Sequence, residues 1–382
     1  MSSNREKTWV EIDSQAYAHN IQIIKSLLAP EVTFCSVIKA NAYGHGIEEM
    51  TMLGIRSGIR CFGVDSIDEV EKVRRIAQQE AILILGYTPE DRLCDVVRLG
   101  AIQTVYEEKT VENLALESIK QQCPCFVNVK CETGTQRQGI GERDFKHLLA
   151  SIEKTHGAVE LWGLSSHFSS SEDPQRFDVT KSQNQKFTYF IEECQRFNLS
   201  PKQISISCSA STILYPETHL SMVRIGISQY GFWPSSELKE LFTKTRPTFQ
   251  LKPILSWKTR IAQIKDIKSG TPVGYDQKYI SDRPIRIAIL PVGYYDGFVR
   301  NLSNMGYVLV KGQKCAILGN VCMNMCIINV SSVPQIQIGD EVNIFGRDGM
   351  HLIGAEDHAK WTNTVHYEVL TRIGQHIKRI IV

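Results

Sequence analysis

The feature that most constrains the fold is the alternation of short apolar runs with amphipathic stretches over the first 230 residues. The runs are rich in β-branched residues and cover positions 33–38, 61–64, 81–85, 102–106, 125–129, 159–164, 203–208 and 222–225. In the stretches between them, such as residues 67–77, apolar side chains recur at spacings of three and four, which predicts amphipathic helices. Eight strand–helix units in this length are typical of a closed parallel (β/α)8 barrel. The Gly-rich loop of an open doubly wound sheet does not follow the first run.

The pattern changes after residue 234. Residues 235–248 are polar and include Pro247, as expected of a connector. Beyond them the sequence predicts short strands and turns with almost no helix, the candidate strands being 251–264, 285–291, 307–310, 315–321, 326–330 and 341–345. We therefore predict a barrel over residues 12–245 and a mostly β C-terminal domain over 246–382, with residues 1–11 packing against the β domain.

Charge and cysteine usage narrow the class of function. The 43 Lys and Arg residues nearly balance the 41 Asp and Glu residues, which argues against a nucleic-acid or membrane-surface partner. Residues 1–8 lack the apolar stretch of a secretory signal, so we expect none, and no apolar run approaches the ~20 residues that span a bilayer. The 11 cysteines are irregularly spaced and partly lie in apolar segments, which indicates a reducing cytoplasm. Their spacing does not match a zinc site, so we predict no metal.

A barrel of this kind has its active site at the C-terminal ends of the strands. Lys39 follows directly after the first run, and further polar residues stand near later strand ends: Lys130, Arg137, His167, Ser209 and Arg224. A lysine amine held in or near an apolar pocket tends to lose its charge, and a neutral amine can form a Schiff base. A lysine extending from the strand end into solvent is the other interpretation. These residues alone leave both open.

Residues 37–46 read Val-Ile-Lys-Ala-Asn-Ala-Tyr-Gly-His-Gly, which closely resembles the cofactor-lysine motif of the alanine racemase family. Further motifs of that family recur in order at residues 222–227, 273–275, 291–297, 319–323 and 364–368, so the resemblance covers nearly the whole chain. The resemblance implies a barrel plus β domain that binds pyridoxal 5'-phosphate (PLP). It also implies an isomerase that interconverts L-alanine and D-alanine and supplies D-alanine for peptidoglycan.

The resemblance also implies roles for individual residues. Lys39 would hold PLP covalently and act as one catalytic base, and Tyr275 would be the second base. In the family the second base comes from the partner subunit, which implies a homodimer with shared active sites. Two bases on opposite faces of the α-carbon suffice for racemisation. The contacts to the cofactor phosphate would come from Tyr43, Ser209, Gly226, Ile227 and Tyr367.

Arg224 matches the residue that faces the pyridine nitrogen. A guanidinium does not readily give up a proton, so the nitrogen would stay unprotonated and the ring would be a weaker electron sink. That favours simple proton return over transamination. In the family, the positions of His167 and Arg224 also supply positive charge near the tyrosine base.

By the same resemblance, Arg137 and the backbone of Met323 would contact the substrate carboxylate. Lys130 matches a lysine that is often carbamylated in the family, where it orients the arginine that corresponds to Arg137. A plain Lys130 paired with Glu132 or another acid is the alternative.

Several positions depart from the family pattern. Cys208 replaces an asparagine before Ser209, Asp276 stands where glycine usually follows the tyrosine base, and Asn320 occupies a position often held by arginine. Glu132 and Asn324 replace aspartates. These changes bear on side-chain selectivity.

Other functions are weighed against the racemase. The nearest alternative is a racemase for serine or for a wider range of amino acids. The bulk of Tyr367 argues against it, because this residue favours a substrate with a methyl side chain over one with a larger side chain. A barrel-type PLP decarboxylase would carry a cysteine-based motif that is not evident here, and a PLP-carrier protein would not need Tyr275 or the β domain. A metal-dependent hydrolase would need several His and carboxylate ligands at the strand ends, where only His167 is suitably placed.

Overall fold

In the computed structural model of the protein, residues 5–382 are described. The contacts within the chain divide it into two compact units. The barrel unit consists of Gln15–Ala42 and Met50–Lys252, and the β unit consists of residues 5–14, Tyr43–Glu49 and Pro253–Val382. The first strand, β1 (Thr8–Ile12), belongs to the β unit.

The barrel unit is built on eight parallel strands. They are β2 (Thr33–Val37), β3 (Cys61–Val64), β4 (Ala81–Ile84), β5 (Ile102–Val105), β6 (Cys125–Lys130), β7 (Val159–Ser165), β8 (Gln203–Ser205) and β9 (Met222–Ile225). They pair in the order β8-β7-β6-β5-β4-β3-β2-β9. Between β8 and β9 the Arg224 backbone N–H donates to the Ser207 carbonyl at 3.0 Å, so the barrel is nearly closed. The predicted eight-stranded barrel is confirmed.

Helices follow most of these strands. Up to residue 252 they are α1 (Ser14–Lys25), α2 (Lys39–Tyr43), α3 (Ile47–Arg56), α4 (Ile67–Arg74), α5 (Leu93–Arg98), α6 (Glu108–Gln121), α7 (Glu142–Glu153), α8 (Phe177–Arg196), α9 (Ser209–Leu214) and α10 (Ser236–Thr245). In α6 the buried residues are Val111, Leu114, Ala115 and Ser118, whose spacing of three and four places them on one face. Strands such as β3 are buried at every residue, as expected for a parallel sheet covered on both faces.

The β unit is mostly strand. Its further strands are β10 (Leu255–Arg260), β11 (Gln263–Ile267), β12 (Pro272–Val273), β13 (Tyr279–Ile280), β14 (Ile285–Leu290), β15 (Tyr307–Val310), β16 (Gln313–Leu318), β17 (Cys326–Asn329), β18 (Glu341–Asp348), β19 (His351–Ile353) and β20 (Lys378–Ile381). The large sheet has the order β11-β14-β17-β16-β15-β18-β10-β1-β20, with β19 paired to β18, and β12 and β13 form a separate pair. Strand β1 is antiparallel to β10 and parallel to β20. The prediction for residues 1–11 includes residues 1–4, which lie outside the described part of the chain.

Two predictions for this half are wrong. Residues 251–264 do not form one strand, because the chain changes partners at Ile261 and Ala262. The N–H of Ile261 bonds the Asp340 carbonyl, whereas the N–H of Ala262 bonds the Ile289 carbonyl. The unit also contains the helices α11 (Ala355–Thr362) and α12 (His366–Thr371). Each spans at most about two turns, which is too short for a periodic apolar pattern to develop.

Candidate active site

The segment after β2 has an unusual backbone. Residues 40–43, although part of α2, have φ values of 54, 53, 52 and 54°, which is the left-handed helical region. This conformation costs about 1–2 kcal/mol per L-residue, so surrounding contacts must hold it. One of them is Glu69, whose carboxylate accepts from the backbone N–H of Asn41 at 3.3 Å and from that of Asp65 at 2.8 Å. Glu69 therefore ties the turn that follows Lys39 to the end of β3.

The Lys39 side chain is partly exposed and has a charged partner. It is 41% exposed, and its Nζ forms an ion pair with Asp65 Oδ1 at 3.2 Å. Of the two interpretations that the sequence left open, this favours a lysine that extends from the strand end into solvent over an amine in an apolar pocket. Lys39 stands at the strand end as predicted, but a carboxylate that sequence reasoning missed is its nearest charged partner.

Four basic side chains from neighbouring strand ends lie close enough to affect one another: Lys130, Arg137, His167 and Arg224. Burial lowers the pKa of Lys130 well below its usual value, and the charges of Arg224 and Arg137 lower it further. Within residues 5–382 Lys130 forms no ion pair. These surroundings therefore disfavour the charged form of the amine.

The predicted alternative, a pair between Lys130 and Glu132, does not form. Glu132 Oε1 instead accepts from the Gly134 backbone N–H at 2.5 Å, and its Oε2 accepts from the Thr135 hydroxyl at 3.2 Å. Burial raises the pKa of Glu132, but hydrogen bonds from the loop outweigh that effect and lower it. Glu132 therefore organises the loop that carries Arg137.

Arg224 is buried, with 6% of its area exposed, and all its recorded hydrogen-bond partners are neutral. Its guanidinium donates to the Ser205 carbonyl at 3.0 Å, to the Ser205 hydroxyl at 2.5 Å and to the Ser166 carbonyl at 2.6 Å. It also donates to His167 Nδ1 at 3.3 Å. Since no carboxylate pairs with it in the described chain, its positive charge is locally uncompensated.

His167 and Arg224 contact each other, and the surroundings of His167 disfavour its charged form. Burial lowers the pKa of His167 well below its usual value, and the nearby charges of Lys130 and Arg224 lower it further. These surroundings weigh against the expectation that His167 adds positive charge, and its Nδ1 accepts from Arg224.

The barrel unit also brings together three of the residues predicted to bind phosphate. The hydroxyl of Ser209, at the start of α9, accepts from the backbone N–H of Gly226 at 3.1 Å. Ile227 follows Gly226 and opens a short 3-10 turn, Ile227–Tyr230. Cys208, one of the departures from the family pattern, bonds through its backbone N–H to the Ser211 hydroxyl at 2.9 Å.

In the β unit the other two predicted phosphate ligands form a pair. The rings of Tyr43 and Tyr367 have centroids 6.2 Å apart and are tilted by 50°. Arg379, which sequence reasoning missed, holds the adjoining backbone. Its guanidinium donates to the Gly44 carbonyl at 2.8 and 3.1 Å and to the Ile377 carbonyl at 2.5 Å. The only sequence signal for this role was a lone arginine in the apolar C-terminal strand.

Tyr275 and Met323 also lie in the β unit and are 71% and 56% exposed. Tyr275 stands between β12 and β13, and Asn320 donates to its carbonyl at 3.1 Å. The carbonyl of Met323 accepts from the backbone N–H of Tyr295 at 3.0 Å.

The residues present fit PLP by the chemistry of their donors. An amine at a strand end, a guanidinium without a carboxylate partner, and a hydroxyl beside a glycine N–H suit its aldehyde, ring nitrogen and phosphate. The described residues contain no group of three or more His, Cys, Asp or Glu side chains that could hold a metal ion. In the same part of the chain, no helix is long and apolar enough to cross a membrane.

Comparisons with known proteins identify the family of the chain. The family model "Alanine racemase, N-terminal domain" matches residues 12–234, and "Alanine racemase, C-terminal domain" matches residues 254–381. The alanine racemase of Leptospira interrogans serogroup Icterohaemorrhagiae serovar Lai is 38% identical over 378 residues, covering 98% of this chain and 96% of the relative.

Solved structures show the same fold. The alanine racemase from Bacillus anthracis with bound L-Ala-P has a TM-score of 0.92 at 28% identity, over 100% of this chain and 96% of that chain. A histidine racemase from Leuconostoc mesenteroides subsp. sake has a TM-score of 0.86 at 25% identity, over 100% and 99% of the two chains.

The fold, with Lys39 at the end of β2, defines the class of the protein. It is a (β/α)8-barrel protein that also has a β domain. Within that class the chain belongs to the alanine racemase family, which confirms the resemblance seen in the sequence.

Proposed function

We propose that this protein is a PLP-dependent racemase that interconverts L-alanine and D-alanine. The strongest support comes from two residues of the barrel unit, Lys39 and Arg224. Lys39 stands at the end of β2, and Arg224 is buried among neutral acceptors with no carboxylate partner among residues 5–382. Membership of the alanine racemase family supplies the reaction class.

Each donor described above has a part of the cofactor to hold. Lys39 would bind PLP covalently, and Arg224 would face the ring nitrogen. The phosphate would be held by Tyr43, Ser209, Gly226, Ile227 and Tyr367. When bound, PLP withdraws electrons from the α-carbon of the amino acid and makes its proton removable.

Two bases would exchange the α-proton, one on each face of the carbon. We assign one role to Lys39 and the other to Tyr275. Tyr275 is highly exposed, as expected of a residue that acts outside its own chain. We therefore infer a homodimer in which each subunit supplies Tyr275 to the other.

The substrate carboxylate would be bound by Arg137 and the backbone of Met323. We propose that Lys130 is carbamylated to orient Arg137. A neutral amine reacts with CO2 to give a carbamate and a proton, and the lowered pKa of Lys130 favours the neutral form of its amine. The carbamate would also place a negative charge near the guanidinium groups of Arg137 and Arg224.

Side-chain selectivity follows from Tyr367, which packs against Tyr43 and would leave room for a methyl group. The histidine racemase with the same fold indicates that the architecture as such accepts larger side chains. We therefore place the preference for alanine in individual residues such as Tyr367. A cytoplasmic enzyme supplying D-alanine for peptidoglycan agrees with the buried free thiols and the near-neutral charge.

The decisive experiment is a panel of L-amino acids, including serine and histidine, assayed for the D-enantiomer with purified holoenzyme. We expect alanine to exceed serine by at least about tenfold in kcat/KM, the scale of discrimination that one added group allows. Tyr367→Ala should narrow that ratio. A wild-type enzyme that racemises serine or histidine faster than alanine would contradict the proposal.

A further inference from the structure

The backbone around Tyr275 is conformationally demanding. Gly274, Asp276 and Gln277 have φ values of 75, 59 and 49°, so Tyr275 is flanked by residues in the left-handed region. Aspartate tolerates this region better than most residues, but glycine does so at no steric cost. The side chain of Asp276 is therefore an addition to a position where a glycine would suffice.

That side chain has a specific partner. Asn320 is buried, with 8% of its area exposed, and its Nδ2 donates both to Asp276 Oδ2 at 3.0 Å and to the Tyr275 carbonyl at 3.1 Å. One carboxamide thus holds the backbone of Tyr275 and the side chain of the next residue. Arg300 adds an ion pair to the same carboxylate at 3.7 Å, but both of its members are 60% exposed, so it contributes little.

The segment that carries Asn320 is itself fixed to the Tyr275 loop. A side chain at Gly319 would place its Cβ 2.5 Å from the Val273 carbonyl, so the two backbones pass in close contact. Asn304 spans both, because its Oδ1 accepts from the Gly319 N–H at 2.6 Å and its Nδ2 donates to the Lys278 carbonyl at 3.1 Å.

We propose that Asp276 and Asn320 are positioning residues that hold Tyr275 in place for proton transfer. Both positions depart from the family pattern, and in this chain the two departures contact each other. The proposal rests on the proposed function, since it takes Tyr275 as a base. Proton transfer requires the phenol within about 3 Å of the carbon-bound proton's path, so a loop that shifts even slightly loses rate.

The test compares Asn320→Ala, Asp276→Gly, the double variant and the conservative Asp276→Asn, each as purified holoenzyme. We expect kcat/KM for alanine to fall about tenfold in Asn320→Ala and less in Asp276→Gly. The double variant should lose no more than Asn320→Ala alone, because both changes break one interaction. Asp276→Asn keeps an acceptor for Asn320 and should retain most activity.

A merely structural role is distinguished by isotope effects. For enantiomers the equilibrium constant is one, so kcat/KM changes equally in both directions and cannot separate the two bases. The α-deuterium isotope effect can: it should rise in Asn320→Ala with one enantiomer only, the same one as in Tyr275→Phe. Asp266→Asn, which removes an exposed ion pair with Arg286 on β11 and β14, is the matched control and should change neither quantity.

Additive losses in the double variant, equal isotope effects for both enantiomers, or unchanged activity in all variants would overturn the positioning role. If Asn320→Ala does not fold, Asp276→Gly and Asp276→Asn still decide it. Failure of the proposed function looks different, because wild-type holoenzyme would then not racemise alanine, or Tyr275→Phe would leave the isotope effects unchanged.

Discussion

The C-terminal ends of the barrel strands and the Tyr275 loop, which lies between β12 and β13, hold their functional side chains by different means. In the barrel, Arg224 is buried and Lys130 and His167 are partly buried, and the three lie close to one another and to neutral acceptors. In the β unit, Tyr275 is exposed and its loop is held by hydrogen bonds from Asn320. Desolvation thus sets the protonation states in the barrel, whereas backbone geometry sets the position of the tyrosine. Substitutions in the two regions should therefore fail in different ways.

The largest expected effect is that of Lys39→Ala. We expect activity to fall by at least about a thousandfold, since the substitution removes both a covalent attachment and a base. The visible absorption of the bound cofactor should disappear as well. Lys109→Ala, which removes an exposed lysine paired with Glu90, is the control and should keep both. If the Lys39→Ala protein kept the visible absorption of a bound cofactor that can be reduced, Lys39 would not be the residue that holds the cofactor.

The second largest effect concerns the charge of the cluster formed by Lys130, Arg137, His167 and Arg224. We expect 13C-labelled bicarbonate to give a carbamate signal in the NMR spectrum of the wild type that is absent in Lys130→Gln. The variant should lose about tenfold in kcat/KM, since Arg137 would lose its orienting partner. A wild-type spectrum without the signal would show that the buried amine stays unmodified and that the cluster keeps its excess positive charge.

The smallest effect tests whether desolvation also acts in the β unit, away from the Tyr275 loop. Burial among Phe345, Phe298 and Trp361 lowers the pKa of His358 to about 3. In the unfolded chain the His358 imidazole becomes protonated below its ordinary pKa near 6.5, whereas in the native state it does so only near pH 3. The contribution of His358 to the free energy of unfolding is therefore fully present above about pH 6.5 and is lost as the pH falls towards 3. At pH 5 this group lowers the free energy of unfolding by about 2 kcal/mol.

His358→Phe should remove that part of the pH dependence while leaving kcat/KM unchanged. The measurement is the free energy of unfolding in urea at pH 7 and pH 5 for both proteins. Nε2 of His358 has no hydrogen-bond partner in the described residues, so phenylalanine gives up no bond there. Identical pH dependence in the two proteins would place the acid sensitivity in other groups, such as His366, whose pKa burial lowers to about 4.

The order of the barrel strands and the residues at their ends could be predicted because the pattern is local. Apolar runs and helical spacing repeat within a few residues, so each unit shows its own character. Ser209 and Gly226 meet because they follow β8 and β9, which are neighbours in the barrel. The partner of Lys39 could not be predicted, because Asp65 reaches it only after β2 and β3 pair.

The sequence by itself determined the barrel, the β domain and the residue types at the strand ends, since those depend on periodicity and on short motifs. Tertiary structure alone decided the protonation states and the local backbone. Alanine has no preference for the left-handed region, yet Ala40 and Ala42 adopt it in a turn that Glu69 ties down from α4. Burial, a property of the folded chain, disfavours the charged forms of His167 and Lys130, and the cations around them add to that effect.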